Sequence, residues 1–171
     1  MKYKLFLDLD GVFADLHGWF ESRHGPDWEE KVNAEGYWQE LAKTEPRLFS
    51  QLETLPLSLE TINFLVSIQD KFDRISFLTA KPSRGNFKYA ELDKTQWVAN
   101  VLGSNWPVIA NVYAKDKQIH CEGPTCILID DNKSNIQRWI KAGGIGILHL
   151  GYLPGSMYNL IKTINGTMES P

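Results

Sequence analysis

Two carboxylates at the end of a short apolar run are the residues of this sequence best placed to do chemistry. Tyr3 to Leu7 forms the run, and Asp8, Leu9, Asp10 and Gly11 follow it directly. Asp8 and Asp10 are two residues apart, so in extended chain they share one face and repel each other. A bound divalent cation would relieve that repulsion. The alternative is a strand that ends in a polar turn, because Asp-Gly is a common turn pair.

Three other predicted strands also end in polar residues. These strands are expected at 75–78, 108–113 and 126–129, and they are followed by Thr79, by Lys115 and Lys117, and by Asp130 and Asp131. The carboxyl ends of parallel strands lie along one edge of a sheet, so these side chains should gather in one pocket with Asp8 and Asp10. Carboxylates for a metal, a hydroxyl and a cation suit phosphoryl transfer, which depends on positioning and charge neutralisation. A carboxylate can also act as the nucleophile and form an aspartyl-phosphate.

Alternating strands and helices predict the fold class. Apolar residues at helical spacing predict helices from about 58, 91 and 134 and after Pro154, and a fifth strand is expected at 145–150. Ser134 and Gln137 have capping-box spacing at the start of the third helix. This order of elements implies an α/β fold with a parallel sheet flanked by helices.

Residues 16–54 differ from the rest of the chain and are predicted to form a small helical insertion over the end of the first strand. The segment is rich in aromatic and charged residues, and Gly25-Pro26 and Gly36 divide it into short helices. Most of its aromatic residues are expected to pack the insertion itself. The predicted division is therefore a core domain, 1–15 and 55–171, and an inserted cap, 16–54.

Composition and charge limit the classes of function. A length of 171 residues suits one domain, and 43% hydrophobic residues suffice for a sizeable core. The net charge of −3 predicts no extended nucleic-acid surface. No apolar run has the length of a membrane span, and Met1 to Leu7 is too short for a signal peptide, so a cytoplasmic protein is expected. Cys121 and Cys126 are too few for a disulfide framework and lack zinc-site partners.

Taken together, these motifs resemble those of the haloacid dehalogenase (HAD) superfamily of phosphatases. The run DLDGV at 8–12, Thr79, a lysine, and Asp130-Asp131 come in the order and spacing of that superfamily's four motifs, over nearly the whole chain. The sequence looks most similar to the 5′(3′)-deoxyribonucleotidases. That resemblance rests on DLDGVFAD at 8–15, Gly36-Tyr37-Trp38, LETLP at 52–56, Lys88-Tyr89, Lys94, Trp97-Val98 and Asp116-Lys117. It implies a Rossmann-like HAD core with a small helical cap inserted after the first strand.

The resemblance also implies a role for each motif residue. Asp8 would be the nucleophile, and Asp10 would protonate the leaving oxygen and then deprotonate the attacking water. Thr79 would donate a hydrogen bond to a phosphate oxygen. Lys117 would offset the negative charge of the phosphate and of Asp8, with Lys115 as its rival two positions away.

The implied cofactor is Mg²⁺, held by the Asp8 carboxylate, the Asp10 backbone carbonyl and Asp131. Asp131 is favoured over Asp130 because Asn135, four residues on, matches the second acidic or amide position of the fourth motif. Asp130 would then support the site from nearby. The residues implied for substrate binding are Tyr37, Trp38, Ala80 and Lys94.

The expected activity is Mg²⁺-dependent hydrolysis of (deoxy)ribonucleoside monophosphates, with the small nucleotide as the partner. The alternatives are a HAD phosphatase for another small metabolite or for a 3′-phosphate nucleic-acid end, and a non-catalytic binding protein of the same fold. Leu16 stands where the family has a pocket aromatic, and Ala80 follows Thr79 where the family has serine. The sequence leaves open the base, the sugar, the phosphate position and the oligomeric state, for which a homodimer is one candidate.

Overall fold

The computed structural model describes residues 2–166, which fold around a five-stranded parallel sheet in the order β3-β2-β1-β4-β5. The strands are β1 Tyr3–Leu7, β2 Phe72–Ala80, β3 Val108–Val112, β4 Cys126–Asp130 and β5 Ile145–Leu148. β1 lies in the centre and pairs in parallel with β2 and β4. The α/β fold class with a parallel sheet flanked by helices is thus confirmed.

Both faces of the central strand are buried. Leu5 and Leu7 belong to one apolar cluster, and Phe6, between them, belongs to a second cluster in which its ring lies 5.1 Å from that of Trp139. Successive side chains of a strand point to opposite faces, so the two clusters are the two sides of the sheet. Burial on both faces explains why the strand is apolar throughout its second half.

Four helices cover these faces, and along the chain they follow the three helices of the insertion. They are α4 Ser58–Ser67, α5 Ala90–Val101, α6 Lys133–Lys141 and α7 Leu153–Ile164. Buried residues of α4, α5 and α7 belong to the cluster of Leu5 and Leu7, whereas those of α6 belong to the cluster of Phe6. Helices on both faces are what a parallel sheet needs for its burial.

Helix α6 begins earlier than the capping-box spacing indicated. Its N-cap is Asn132, whose side-chain oxygen accepts hydrogen bonds from the backbone N–H groups of Ser134 and Asn135, at 2.9 and 3.2 Å. An asparagine satisfies the free N–H groups of a first turn as well as serine does. The prediction that Ser134 and Gln137 cap the helix was therefore wrong by two residues.

The insertion, residues 16–54, consists of α1 Leu16–His24, α2 Trp28–Asn33, α3 Tyr37–Thr44 and a 3-10 turn, Leu48–Ser50. Its helices are separated where predicted, at Gly25 and Gly36, which have φ of 75° and 78°. Phe20, Val32 and Phe49 are buried in the same apolar cluster as Leu5 and Leu7 of the sheet. The insertion thus packs onto the sheet rather than around a separate core.

A short antiparallel stem joins the two ends of the insertion. The Asp15 N–H donates to the Glu53 carbonyl at 2.9 Å, and the Leu55 N–H donates to the Phe13 carbonyl at 2.8 Å. Ala14 and Thr54 form the bridge between these two bonds. The chain therefore leaves and re-enters the sheet region at a single place.

No helix within residues 2–166 combines the length and the apolar character needed to cross a membrane.

Candidate active site

The polar strand ends meet at the carboxyl edge of the sheet. Asp8 follows β1, Thr79 lies near the end of β2, and Asp130 ends β4. Lys117 comes from a 3-10 helix, Ala114–His120, that follows β3. All four side chains are buried. The structure thus brings together the residues that the sequence predicted to converge there.

Lys117 joins two buried aspartates. Its Nζ lies 2.8 Å from Asp8 Oδ1 and 2.7 Å from Asp130 Oδ2. Burial alone would lower the pKa of Lys117, but the charges of Asp8 and Asp130 and its hydrogen bonds to them more than offset this, so its pKa is raised. Lys117 is therefore positively charged. Lys115, its rival in the sequence, is exposed.

The Asp8 carboxylate has one oxygen bound by donors and one without. Oδ1 accepts from the Leu9 N–H at 2.8 Å in addition to its contact with Lys117. Oδ2 accepts no hydrogen bond from residues 2–166. Burial raises the pKa of Asp8 well above its ordinary value, Lys117 opposes that shift, and the neighbouring carboxylates add to it. Ionisation of Asp8 is thus favoured by additional positive charge at the site.

The Asp130 carboxylate is fully engaged with protein donors. Oδ1 accepts from the Asn132 N–H at 2.8 Å and lies 3.1 Å from Asn135 Nδ2. Oδ2 lies 3.0 Å from the same Nδ2 and 2.7 Å from Lys117 Nζ. A carboxylate with this many donors has little capacity left for a metal.

Asp131, by contrast, is free. Within the part of the chain that the structure describes, its carboxylate forms no hydrogen bond or ion pair. Burial, and then the charge of Asp130, raises the pKa of Asp131 from 3.8 to about 6. Asp8, Asp130 and Asp131 each have an oxygen within 4.8 Å of the others.

These residues fit a magnesium ion. Hard carboxylate and carbonyl oxygens are the ligands that Mg²⁺ prefers. Asp131 and the free oxygen of Asp8 supply two of them, and the Asp10 carbonyl accepts none of the backbone hydrogen bonds of this turn. Asp130 lies beside them as a supporting group. A cation there would also reduce the repulsion that raises the pKa values of Asp8 and Asp131.

Asp10 is held by a second buried lysine, Lys94 of α5. Lys94 Nζ lies 2.5 Å from Asp10 Oδ2, 2.9 Å from Thr79 Oγ1 and 2.7 Å from the Ala80 carbonyl. The other Asp10 oxygen, Oδ1, is buried and has no partner within residues 2–166. Because an ammonium group only donates, Thr79 Oγ1 accepts from Lys94 and keeps its own hydrogen free to donate.

Comparison with known proteins identifies the fold. The sequence matches no protein-family model and no curated protein. The structure is similar to a hydrolase from Streptococcus pneumoniae TIGR4, with a TM-score of 0.53 and 17% identity over 96% of this chain and 100% of that chain. It is also similar to a haloacid dehalogenase-like family hydrolase from Streptococcus pneumoniae, with a TM-score of 0.58 and 12% identity over 92% and 90% of the two chains. The chain has a HAD-like fold.

Another solved structure of this fold is described as bound to magnesium. It is the putative HAD-hydrolase YfnB from Bacillus subtilis, with a TM-score of 0.52 and 12% identity over 86% of this chain and 87% of that chain. At such identities the similarity concerns the fold. The chemistry of the present HAD-like protein must therefore be argued from its own residues.

A cavity of about 380 Å³ opens above Asp10, between the HAD-like sheet and the insertion. Trp38 and Ala80, both predicted to contact substrate, line it together with Leu16, Phe49, Lys81, Pro82, Ser83, Arg84, Ala114 and Asn132. The aromatic wall therefore comes from the insertion, and the two cations come from the loop after β2.

Two residues predicted to bind substrate, Tyr37 and Lys94, do not line this cavity. The Tyr37 hydroxyl is 2.7 Å from His24 Nε2, and its ring packs near Phe20, away from the cavity. Successive residues of a helix point about 100° apart, so Tyr37 and Trp38 of α3 do not share a wall. Lys94 is 1% exposed and does not line the cavity. Contact of Tyr37 and of Lys94 with substrate therefore stays a prediction that this cavity does not support.

The wall also includes residues to which the sequence assigned no role in substrate binding. Phe49 and Asn132 line the cavity. Phe49 was one aromatic among several in the insertion, so nothing in the sequence singled it out. Asn132 directly follows Asp131, and its place after the fourth motif was the only available signal.

Proposed function

We propose that this protein is a Mg²⁺-dependent phosphomonoesterase that hydrolyses (deoxy)ribonucleoside monophosphates through an aspartyl-phosphate. One observation carries the proposal. Asp8 is held by a charged lysine, has one oxygen without a donor, and lies beside an unpaired Asp131 near a cavity that Asp10 lines. The proposed nucleophile, ion site and proton donor then all lie at the carboxyl edge of the sheet.

In the first step the Asp8 carboxylate attacks phosphorus. The bond from phosphorus to the leaving oxygen breaks, and Asp10 gives that oxygen a proton, so the products are an alcohol and an aspartyl-phosphate. The position of Asp10 on the cavity wall supports this role, as does its buried oxygen without a partner. Lys94 holds the other oxygen and so fixes the direction in which the carboxyl group points.

In the second step Asp10, now ionised, takes a proton from water. The water oxygen attacks phosphorus, the bond to Asp8 breaks, and inorganic phosphate and the Asp8 carboxylate are released. Thr79 donates its free hydroxyl hydrogen to a phosphoryl oxygen, and Lys117 offsets the charge on Asp8. Mg²⁺ held by Asp8, Asp131 and the Asp10 carbonyl would supply positive charge to the phosphoryl group.

The shape and charge of the cavity support a nucleotide as the substrate. Trp38 and Phe49 offer aromatic faces to a base, and base stacking on an aromatic residue contributes about 1–3 kcal/mol. Lys81 and Arg84, on the loop after β2, form no ion pair with a carboxylate in residues 2–166. Lys81 Nζ lies 4.5 Å from the centroid of the Tyr113 ring, which does not neutralise its charge, so both cations can attract an anion. A cavity of about 380 Å³ suits a small molecule rather than an extended nucleic acid.

Residues 16–54 are proposed to act as a cap that shields the reaction from bulk water. The loop after β2 packs tightly on this segment: a Cβ at Gly85 would be 2.3 Å from the Trp38 carbonyl oxygen. Phe87 of the same loop lies 5.6 Å, between ring centroids, from Phe49. Water exclusion strengthens the electrostatic interactions at a reaction centre.

The test is phosphate release from a panel of substrates, with and without Mg²⁺, by the wild type and by Asp8→Asn. We expect the wild type to hydrolyse dUMP or dTMP only with Mg²⁺, and Asp8→Asn to fold normally and release no phosphate. Equal rates on sugar phosphates would restrict the proposal to a general small-metabolite phosphatase. Activity that survives in Asp8→Asn would exclude Asp8 as the nucleophile.

A further inference from the structure

Arg138 of α6 contacts the active-site network from outside it. Its Nη2 donates to Asn135 Oδ1 at 2.7 Å, one helical turn earlier. This is the one hydrogen bond of the guanidinium group within residues 2–166, and its Nε is buried without a partner. The two other basic residues of the helix, Lys133 and Lys141, are exposed. Arg138 is thus the cation of α6 whose side chain is directed at a buried group.

The contact fixes which way the Asn135 amide points. A guanidinium group has donors only, so the atom of Asn135 that faces it must be the oxygen. The amide nitrogen then faces Asp130, where it lies 3.1 Å from Oδ1 and 3.0 Å from Oδ2. Asn135 is 4% exposed, so water does not compete strongly for either end of the amide.

The orientation of the Asn135 amide also affects the proposed nucleophile, Asp8, through Asp130 and Lys117. Asp130, held by Asn135 on one side, binds Lys117 on the other at 2.7 Å, and Lys117 binds Asp8 at 2.8 Å. Hydrogen bonds in such a series polarise one another in a medium of low dielectric constant. A change at Arg138 therefore reaches the charge beside Asp8 through groups with fixed geometry.

We propose that Arg138 is a positioning residue: through Asn135 and Asp130 it fixes Lys117 against Asp8. This inference rests on the proposed phosphatase function, because its effect on rate requires that Asp8 be the reacting group. Arg138 touches neither the cavity nor the ion ligands, so its removal lowers kcat and leaves KM nearly unchanged.

The kinetic test is a double-mutant cycle with p-nitrophenyl phosphate and Mg²⁺. We expect Arg138→Met to lower kcat about tenfold, as typical for groups that orient catalytic ligands, with KM within about twofold of the wild type. Asn135→Ala should lower kcat at least as much, and the double variant no further than Asn135→Ala alone, because both act along one path. Arg138→Lys, which keeps a donor, should recover part of the loss, and Lys141→Met is the matched control with unchanged kcat.

A second measurement does not depend on activity. In the wild type, the side-chain amide hydrogens of Asn135 should exchange with solvent at least about tenfold more slowly than those of exposed Asn132. In Arg138→Met this protection should fall.

The inference is overturned if Arg138→Met keeps the wild-type kcat, if the two losses multiply in the double variant, or if the Asn135 and Asn132 amides exchange equally fast. A wild type that hydrolyses no phosphomonoester would instead refute the proposed function, and the exchange experiment would still decide whether the amide is held.

Discussion

The Asp131 carboxylate lies directly against the backbone of Gly11: a Cβ atom at residue 11 would be 2.1 Å from Asp131 Oδ2. Gly11 also has φ of 75°, in the left-handed region where L side chains are strained. One glycine therefore allows both the turn after Asp10 and the approach of the Asp131 carboxylate to the proposed ion site.

Gly11→Ala is expected to abolish Mg²⁺ binding and with it phosphatase activity, because the new methyl group displaces the Asp131 carboxylate. The matched control is Gly25→Ala, which has the same φ of 75° but open space at the Cβ position. Both variants should lose about 1–3 kcal/mol of unfolding free energy from backbone strain, with Gly25→Ala toward the upper end because φ of 75° with ψ of −167° is a conformation restricted almost to glycine. Calorimetric titration with Mg²⁺ should show binding in Gly25→Ala and none in Gly11→Ala. Wild-type affinity in Gly11→Ala would place the ion elsewhere.

Lys94→Met should destabilise the protein and impair catalysis, because Asp10 would lose its buried counter-charge. Removing one partner of a fully buried ion pair costs about 3–5 kcal/mol, and the loss here should be smaller because the Asp10 side chain is 22% exposed. The kcat should fall at least about 100-fold as Asp10 loses its orientation. The measurements are urea denaturation and steady-state kinetics.

Lys94→Met combined with Asp10→Asn provides the control for that prediction. The double variant should recover part of the unfolding free energy, since the uncompensated charge is gone, but none of the activity. Unchanged stability in Lys94→Met would mean that water replaces the lysine at Asp10 without cost.

Trp38→Leu should weaken binding of nucleoside monophosphates and spare small substrates. Loss of one stacking contact predicts an increase in KM for dUMP of about tenfold, with KM for glycerol phosphate unchanged. Tyr37→Phe, one residue away but outside the cavity, should leave both values as in the wild type. An equal effect of the two substitutions would argue against a substrate-binding role specific to Trp38.

His149 should make the protein less stable in acid. Its Nδ1 lies 2.9 Å from Ser156 Oγ, and burial lowers the pKa of His149 below its ordinary value of 6.5. The unfolded chain then binds the proton more readily than the folded chain. The contribution of His149 to the unfolding free energy of the protein therefore decreases as the pH falls below 6.5, and it is constant above that pH.

The corresponding comparison is between the wild type and His149→Gln, by urea denaturation from pH 8 to pH 5. The unfolding free energy of the wild type, relative to that of the variant, should decrease as the pH falls. Using the difference between the two proteins removes the contributions of Asp8 and Asp131, whose raised pKa values act in the opposite direction. A constant difference across this range would show that His149 titrates alike in both states.

Topology explains what could be predicted from the sequence. Asp8, Thr79 and Asp130 each lie at the carboxyl end of a parallel strand, so their sequence positions alone imply that they meet. Lys117 and Asp131 follow such ends within a few residues. The β-strand pattern and the order of elements were enough to predict this edge of the sheet.

Side chains placed by tertiary packing could not be predicted in that way. Tyr37 and Trp38 are adjacent in sequence, and which of them faces the cavity depends on how α3 rotates against Phe20. Lys94 comes from the middle of a helix, where a lysine is usually solvated. Its burial against Asp10 follows from the packing of α5 on the sheet, which no local pattern encodes.

The stem at Ala14 and Thr54 holds the two ends of the insertion side by side. Because the chain departs and returns through one pair of hydrogen-bonded segments, the geometry of Asp8 and Asp10 is set before the insertion starts. The insertion nevertheless shares its core with the sheet, because Phe20 and Val32 are buried in the cluster of Leu5 and Leu7. A redesigned segment between Asp15 and Glu53 would therefore have to keep these buried residues while it changes Trp38 on the cavity wall.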